Sequence, residues 1–339
     1  MIAATPTDST APSAARDIRI GPYRLDGPVV LAPMAGVSDA PFRRLCVDHG
    51  AALAATEMTL ASHGVRATAR TGGRLDFVGT NGLRIVQIAG SEPRMMADAA
   101  HEAVELGAQI VDINMGCPAK KVCRKLAGSA LLKDEDLVRR ILDSVVEASR
   151  VPVTLKIRTG WDADHRNGER IAQLAEQSGV NALAVHGRTR ACGYKGEAEY
   201  ETIRKIKHAV NIPVFANGDI DSPDKALRVL QITNADGIMI GRGAQGRPWM
   251  FDQVSKFITK NVRAPVPSLD ALRDIIHSHL DAMYRFYGER IGTRVAKKHL
   301  TWYCKSLANS DELRFQFVRA DSSSEQMRLT KNFFDCRLH

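Results

Sequence analysis

Apolar residues along the chain form short runs, separated by stretches in which they recur at three- and four-residue intervals. The runs have the length and composition of buried strands, and the intervening stretches have the spacing of amphipathic helices. Eight strands that alternate with helices predict an α/β fold, a (β/α)8 TIM barrel, with a doubly wound open sheet as the competing arrangement. The strands are expected at Val29–Pro33, Leu53–Thr56, Arg84–Ile88, Ile110–Ile113, Val153–Ile157, Ala182–Val185, Val214–Ala216 and Gly237–Ile240. Helices are expected at Glu92–Leu106, Glu135–Ala148, Arg170–Ser178, Glu199–Ala209 and Pro223–Leu230.

The pattern changes near residue 260. Asn261–Ser268 contains two prolines and predicts a linker. Three helical stretches follow with no strand between them, at Leu269–Arg290, Gly292–Leu307 and Asp311–Phe334. The first 17 residues are rich in Ala, Ser, Thr and Pro and lack the basic start and apolar stretch of a secretory signal. We therefore expect a disordered tail over 1–17, a catalytic barrel over 18–260 and a small all-helical domain over 266–339.

Composition narrows the function classes. No apolar run reaches the length of about 18 residues that a membrane-spanning helix needs, so no membrane association is expected. The six cysteines show no Cys-x-x-Cys pair and no zinc-like spacing with histidine, which predicts a cytoplasmic protein without a bound metal. The net charge of +9 fits an anionic macromolecule such as nucleic acid, although solvated lysines produce the same sum. No obligate protein partner is evident.

Polar and glycine-bearing segments follow all eight predicted strands. In a barrel the loops after the strands open on one face, and catalytic residues gather there. Any one of these residues has an ordinary local explanation, such as a cap or a turn, but eight on one face predict a functional site. The segments are Pro33-Met34-Ala35-Gly36, Glu57, Gln87, Asn114-Met115-Gly116-Cys117-Pro118, Lys156 with Arg158, His186 with Arg188, Asn217-Gly218-Asp219 and Gly241-Arg242.

The last two of these segments predict a phosphate site. Glycines let backbone N–H groups approach an anion, Arg242 supplies charge, and a helix expected to begin near Ala244 supplies its dipole. Simple turn chemistry is the alternative for either segment alone. Lys156 and Gln87 suit the pyrimidine end of a flavin, because an ammonium stabilises negative charge and a carboxamide both donates and accepts hydrogen bonds.

Cys117 is the candidate catalytic acid. A free cysteine is most often a small buried apolar residue, but this one lies between Gly116 and Pro118 at the predicted mouth of the barrel. A thiol of ordinary pKa is mostly protonated at neutral pH and serves as a general acid. Four cations follow it, and they would lower its pKa if they point inward or meet phosphates if they point outward. They are Lys120, Lys121, Arg124 and Lys125.

A second basic feature lies in the helical part of the chain. Arg290, Arg294, Lys298, Thr301 and Lys305 follow one another at three- and four-residue steps, so they share one helix face, while Ile291, Val295 and Trp302 share another. From spacing alone, a solvated charged face and a nucleic-acid contact are equally good explanations.

Eight segments resemble the tRNA-dihydrouridine synthases, most closely the bacterial B-type. The similarity covers about residues 19 to 335, and GCPAKKV with KIRTGW and HGRTR is its most specific part. The segments are LAPMAGVSD (31–39), VQIAG (86–90), DINMGCPAKKV (112–122), KLAGSALL (125–132), TLKIRTGW (154–161), HGRTR (186–190), ANGDI (216–220) and IGRGAQGRPW (240–249).

The resemblance implies FMN as cofactor, NADPH as reductant and tRNA as partner, with D-loop uridine reduced to 5,6-dihydrouridine. Flavin hydride would go to carbon-6 and a proton from Cys117 to carbon-5, and the helical domain would bind tRNA. Expected FMN contacts are Pro33, Met34, Ala35, Gln87, Lys156, His186, Asn217, Gly218, Asp219, Gly241 and Arg242. Expected substrate contacts are Asn114, Lys120, Lys121, Arg158, Arg188, Arg290, Arg294 and Lys298. Cys123 is not part of the family pattern.

Two alternatives stay open at this point. An FMN barrel reductase of a small molecule, similar to a dihydroorotate dehydrogenase, would not need the basic helical domain. A non-enzymatic RNA-binding protein on a barrel scaffold would carry no flavin.

Overall fold

A computed structural model describes residues 17–66 and 82–338, so the predicted tail lies almost wholly outside the described residues. Eight parallel strands form one curled sheet in the order β3-β10-β9-β8-β7-β6-β5-β4. Within the described residues, α-helices follow at least seven of the eight strands, which confirms the TIM barrel. The strands are β3 Val29–Leu31, β4 Thr59–Leu60, β5 Ile85–Ala89, β6 Ile110–Met115, β7 Val153–Arg158, β8 Ala182–His186, β9 Val214–Asn217 and β10 Gly237–Ile240.

The second barrel strand differs from the prediction. Leu53–Thr56 is not a regular strand: Ala54 and Ala55 make single bridges to Leu31 and Ile85, and the regular pairing comes later, in β4. These bridges lie between the first and third barrel strands and so close the cylinder. Four alanines in residues 51–55 explain the irregularity, because alanine offers little side chain to pack on a pleated surface.

The alternation of side chains along β6 and β7 sets up the site. Outward residues such as Val111 and Leu155 are buried beneath the helices. The inward residues change from apolar to polar along the strand, from Ile110 through Asp112 to Asn114. In β7 the inward row is Thr154, Lys156 and Arg158, of which Thr154 pairs with Asp112 and Lys156 with Asn114 of β6. The polar ends therefore lie at the carboxyl face of the barrel.

The opposite face is closed. β1 (Arg19–Ile20) and β2 (Tyr23–Arg24) form an antiparallel hairpin. Ile18, Ile20 and Leu25 from this segment are buried in one cluster with inward residues of the barrel such as Phe215. Because apolar side chains fill the amino-terminal end, a ligand has room only at the carboxyl end.

Eleven helices surround or follow the barrel in the described residues. They are α1 Ala40–Asp48, α2 Pro93–Glu105, α3 Lys120–Cys123, α4 Glu135–Ala148, α5 Gly168–Gln177, α6 Glu201–Ala209, α7 Pro223–Thr233, α8 Met250–Lys260, α9 Leu269–Tyr303, α10 Asp311–Phe317 and α11 Ser323–Leu338.

Two helix expectations are wrong. The helix expected near Ala244 begins at Met250, because Gly246 takes a left-handed φ of 71° and Pro248 disfavours helix at the residue before it. Asp311–Phe334 is two helices, since Ser322 caps α11 by accepting a hydrogen bond from Glu325 N at 3.2 Å.

The helical region has an apolar cluster of its own that includes Leu280, Leu300 and Phe317. α9 is interrupted at Gly288, whose φ of 72° and ψ of 172° are outside the helical range. The predicted break therefore lies a few residues before the expected position, where glycine adopts a left-handed φ without strain.

The helical region also contacts the barrel directly. Tyr287 donates a hydrogen bond to Asp39 at 2.9 Å, and the ring of Phe42 lies 5.8 Å from that of His279 and 5.5 Å from that of His299. These contacts hold α9 against α1, which follows the first barrel strand.

Candidate active site

A cavity of about 1110 Å³ opens at the carboxyl ends of the strands. Residues at or after the carboxyl ends of most strands line it, together with Gln87 inside β5 and Met58 just before β4. It therefore lies at the face of the barrel where the sequence predicted a site. Its volume exceeds that of a typical drug-sized pocket, which leaves room for a cofactor and a second ring together.

The turn that carries Cys117 is held by hydrogen bonds. Asn114 Oδ1 accepts from Cys117 N at 2.9 Å and from Gly116 N at 3.2 Å. Ser129 Oγ donates to the Cys117 carbonyl at 2.8 Å, and Asn114 Nδ2 donates to Gln87 Oε1 at 2.9 Å. The direction of the thiol is thus fixed from two sides of the turn.

Burial raises the pKa of the Cys117 thiol above its usual value, and this outweighs the lowering effect of Lys156 and Arg158. The thiol therefore keeps its proton at neutral pH and can donate it. The four cations that follow Cys117 are exposed, so they are free to meet phosphates outside the cavity. They are Lys120, Lys121, Arg124 and Lys125.

Lys156 and His186 differ in charge although they lie in the same cavity. Burial, with Arg158 nearby, lowers the pKa of Lys156 to about 8, and its Nζ donates to Asn217 Oδ1 at 3.1 Å. Burial and neighbouring cations lower the pKa of His186 to about 2, so the ring is neutral. Arg188 Nη1 lies 3.3 Å from His186 Nε2, and since a guanidinium only donates, the ring hydrogen belongs on Nδ1.

The predicted phosphate end carries a carboxylate between two guanidinium groups. Asp219 accepts from Arg188 at 2.6 and 2.9 Å and from Arg242 at 3.1 Å. Burial raises the pKa of Asp219, but the Arg188 and Ala198 hydrogen bonds lower it overall, so the carboxylate is ionised. Arg242 is 54% exposed and can turn toward an anion, while Arg188 is 3% exposed and fixed.

Arg158 ties two loops together. It is 1% exposed, and it donates to the carbonyls of Gly116 at 2.8 Å and of Thr189 and Gly193 at 2.9 Å. Its guanidinium also lies 5.5 Å from the ring of Tyr194. The group expected to contact substrate thus also braces the Cys117 turn against the loop after β8.

Most predicted site residues line this cavity. Those that do are Pro33, Met34, Ala35, Gln87, Asn114, Cys117, Lys120, Lys156, Arg158, His186, Asn217, Gly218, Asp219, Gly241 and Arg242. Lys121, Arg188, Arg290, Arg294 and Lys298 do not. Lys298 donates to the Gly36 carbonyl and lies 5.5 Å above the Trp302 ring, so it contacts the barrel.

Sequence reasoning missed several lining residues. Arg190 and Tyr194 come from the loop after β8, and Arg247 from the loop after β10. Tyr194 is 59% exposed, and Arg242 lies 4.9 Å above its ring. An exposed aromatic between Gly193 and Gly196, in a loop at the carboxyl face, was the available signal.

Among the described residues, no three potential ligands cluster in a way that could hold a metal ion. The same residues include no helix with both the length and the apolarity to span a membrane.

Fold and site together define a barrel enzyme with a protonated thiol, a lysine ammonium and an arginine-rich end around one cavity. The dihydrouridine synthase family model matches residues 30–336, and the chain belongs to that family. It is 54% identical to tRNA-dihydrouridine synthase B of Xanthomonas axonopodis over 94% of this chain and 96% of that one. It is 54% identical to the protein of the same name from Pseudomonas aeruginosa, with the same coverage, and 51% identical to that from Vibrio cholerae over 94% of this chain and 99% of that one.

Solved structures share the fold at low identity. A histamine dehydrogenase from Rhizobium superposes with a TM-score of 0.54 at 13% identity, over 78% of this chain and 50% of that one. An amine oxidase from Pseudomonas geniculata gives a TM-score of 0.55 at 15% identity, over 78% of this chain and 52% of that one. These likenesses show the fold alone, and this chain spans about half the length of each.

Proposed function

We propose that the protein is an FMN-dependent tRNA-dihydrouridine synthase that uses NADPH to reduce D-loop uridine. Family membership supports the reaction, and the relatives named above act on tRNA by name. The observation that carries the proposal is a protonated thiol and a lysine ammonium facing one cavity at the carboxyl end of the barrel.

The residues present fit FMN. Lys156 donates one hydrogen bond to Asn217 and, within the described part of the chain, forms no direct ion pair, so its ammonium can pair with an electron-rich ring edge. At the other end, Arg242 and the backbone of Gly218 and Gly241 offer donors to a phosphate. Reduced FMN, when bound, supplies the hydride for carbon-6 of uracil.

The chain itself supplies the proton and the geometry. Cys117 holds a proton near the cavity and donates it to carbon-5, where the product needs a second hydrogen. Asn114 and Arg158 keep the Cys117 turn in place from two sides. The neutral His186 offers an Nδ1–H donor without adding a further positive charge to the cavity.

We propose that tRNA docks on the exposed cations beside the cavity and on α9, and that the target base leaves its stack to enter. Unstacking costs a few kcal/mol, which phosphate contacts must offset. The six free cysteines fit a reducing cytoplasm as the site of action.

The test measures dihydrouridine in tRNA incubated with FMN-loaded protein and NADPH, comparing the natural chain with Cys117→Ala. Loss of a positioned acid should slow uridine reduction by roughly 10²–10⁴-fold, because hydride transfer then lacks its proton donor. Flavin reduction by NADPH should continue at its normal rate.

Normal uridine reduction by Cys117→Ala would remove the thiol from the mechanism. If the protein binds no FMN, the non-enzymatic RNA-binding function is favoured instead. If it reduces a small pyrimidine as fast as it reduces tRNA, the small-molecule reductase is favoured. Cys123→Ala is the matched control, since that buried thiol donates only weakly to the Cys117 carbonyl, at 3.6 Å.

A further inference from the structure

A buried carboxylate inside the barrel is unused by the mechanism above. Asp112 lies on β6, one inward position below Asn114, and it is 7% exposed. It borders a small apolar cavity of about 40 Å³ inside the barrel, so neither substrate nor cofactor reaches it from that side. Desolvation raises its pKa to about 6, which means that the fold pays a cost to keep it there.

Two donors contact this carboxylate. Gln87 Nε2 donates to one oxygen at 2.6 Å, and Thr154 Oγ1 donates to the other at 2.7 Å. Gln87 is the residue whose other carboxamide atom, Oε1, accepts from Asn114 Nδ2 at 2.9 Å. A continuous chain of hydrogen bonds thus leads from Asp112 through Gln87 and Asn114 to the backbone N–H of Cys117, and we name these four residues the Asp112 relay.

Every hydrogen bond in the Asp112 relay has a forced direction. The Cys117 and Gly116 amides only donate, so Asn114 must present its oxygen to them and its NH₂ to Gln87. Gln87 must then present its oxygen to Asn114 and its NH₂ to Asp112. An acceptor is required at the far end, and an ionised carboxylate provides one that cannot turn a donor toward Gln87.

We propose that Asp112 is a positioning residue for Cys117, acting through the orientation of the Gln87 and Asn114 carboxamides. The inference rests on the proposed function for its kinetic readout alone. An amide at position 112 can donate as well as accept, so Gln87 and then Asn114 are free to reverse. A reversed Asn114 faces the Cys117 amide with its own NH₂, and two donors repel instead of holding the turn.

The first experiment compares the FMN-loaded natural protein with Asp112→Asn. Rapid mixing separates flavin reduction by NADPH from uridine reduction in tRNA. We expect Asp112→Asn to leave flavin reduction nearly unchanged and to slow uridine reduction on the order of 10²-fold, the effect of misplacing a reacting group by about 1 Å. A general loss of structure would slow both steps together.

The second readout does not depend on activity. Cys117 is alkylated with iodoacetamide, and the rate of alkylation is measured by mass spectrometry of the peptide that contains it. A loosened turn exposes the thiol and relieves the burial that raises its pKa, so Asp112→Asn should react clearly faster than the natural protein. Asp236→Asn is the matched control: that carboxylate accepts from Val214 N at 2.8 Å at the opposite end of the barrel, so its loss should change neither readout.

A swapped pair tests the direction of the relay. In Asp112→Asn/Gln87→Glu, the new amide at position 112 donates to the new carboxylate at position 87, whose other oxygen accepts from Asn114. Donor and acceptor have changed places, but Asn114 again presents its oxygen to Cys117. The double variant should therefore recover the natural alkylation rate, whatever moving the negative charge to position 87 does to FMN affinity.

These outcomes separate the two proposals. A natural protein that binds no FMN or leaves uridine intact refutes the proposed function, while the alkylation rates still test the relay. The relay is overturned if Asp112→Asn alkylates at the natural rate, or if the double variant reacts as fast as Asp112→Asn. If Asp112→Asn does not fold, the double variant alone decides, because the relay predicts that it folds and protects the thiol.

Discussion

The basic face of α9 offers a sharp test, because the structure divides its residues into two groups. Arg290 and Arg294 are exposed, and within the described residues neither guanidinium forms an ion pair. Lys298 lies two helical turns after Arg290 and one turn after Arg294. It donates to the Gly36 carbonyl and so belongs to the contact between helix and barrel. We therefore expect Arg290 and Arg294 to contact phosphates, and Lys298 to act mainly by holding α9.

Helix geometry gives the reach of these groups. With about 5.4 Å per turn, Arg294 lies one turn and Arg290 two turns beyond the rim of the cavity at Gly36. Each phosphate neutralised contributes about 0.7 to 0.9 to the slope of log affinity against log salt. Changing both residues to Gln should reduce that slope by about 1.4 to 1.8. Between 50 and 200 mM salt, the natural protein should then lose roughly 7 to 12 times more affinity for tRNA than the variant.

Filter binding of tRNA at several salt concentrations measures both quantities. Gln retains most of the helix propensity and aliphatic stem of Arg, so the helix should stay folded. Lys298→Gln is the matched control, which removes one positive charge from the same face: it should lower thermal stability while leaving the salt slope nearly unchanged. Equal slopes for the natural protein and Arg290→Gln/Arg294→Gln would mean that this face is only solvated and that tRNA docks elsewhere.

Two further predictions concern buried charge. Lys156→Met keeps the aliphatic stem but removes the ammonium, and with it a hydrogen bond to FMN worth about 1.5–3 kcal/mol. The dissociation constant for FMN in fluorescence titrations should therefore rise roughly 10- to 150-fold, and an unchanged constant would refute the flavin contact. Burial holds the pKa of His299 well below its usual value, so the folded state rejects a proton that the unfolded state binds below about 6.5. Stability from this residue is therefore present above that pH and is lost as the pH falls below it, and urea unfolding of His299→Leu should lack this loss.

The barrel could be predicted from the sequence because its strands are buried on both faces. Runs such as Val214–Ala216 and Ala182–Val185 contain apolar residues throughout, and their observed limits differ by one residue from those expected. The same reasoning was wrong for the second strand, since alanines carry little strand preference and isolated bridges to Leu31 and Ile85 replace a regular ladder there.

Most residues that line the site were also predictable, because of where the strands end. Residues at strand ends of a barrel share one face, so Gln87, Cys117 and Lys156 had to meet once the strands were known. The contacts between distant segments around the site were not predictable. Arg188 pairs with Asp219 across 31 residues, and Lys298 reaches Gly36 across 262, and such pairings depend on loop paths and docking angles that no local pattern encodes.

Asp112 shows how far this limit extends. In the sequence it is the first residue of DINMGC, within a predicted strand. The alternation of side chains directs it into the barrel, but the sequence shows no partner for its carboxylate there. Register supplies the missing information: β5 and β6 pair Gln87 with Asp112 directly, which brings the carboxamide within reach of the carboxylate. Once that pair is known, donor and acceptor chemistry alone fixes the remaining hydrogen bonds up to Cys117. The sequence therefore pointed to the proposed acid, while the group proposed to orient it became recognisable only when two strands were aligned.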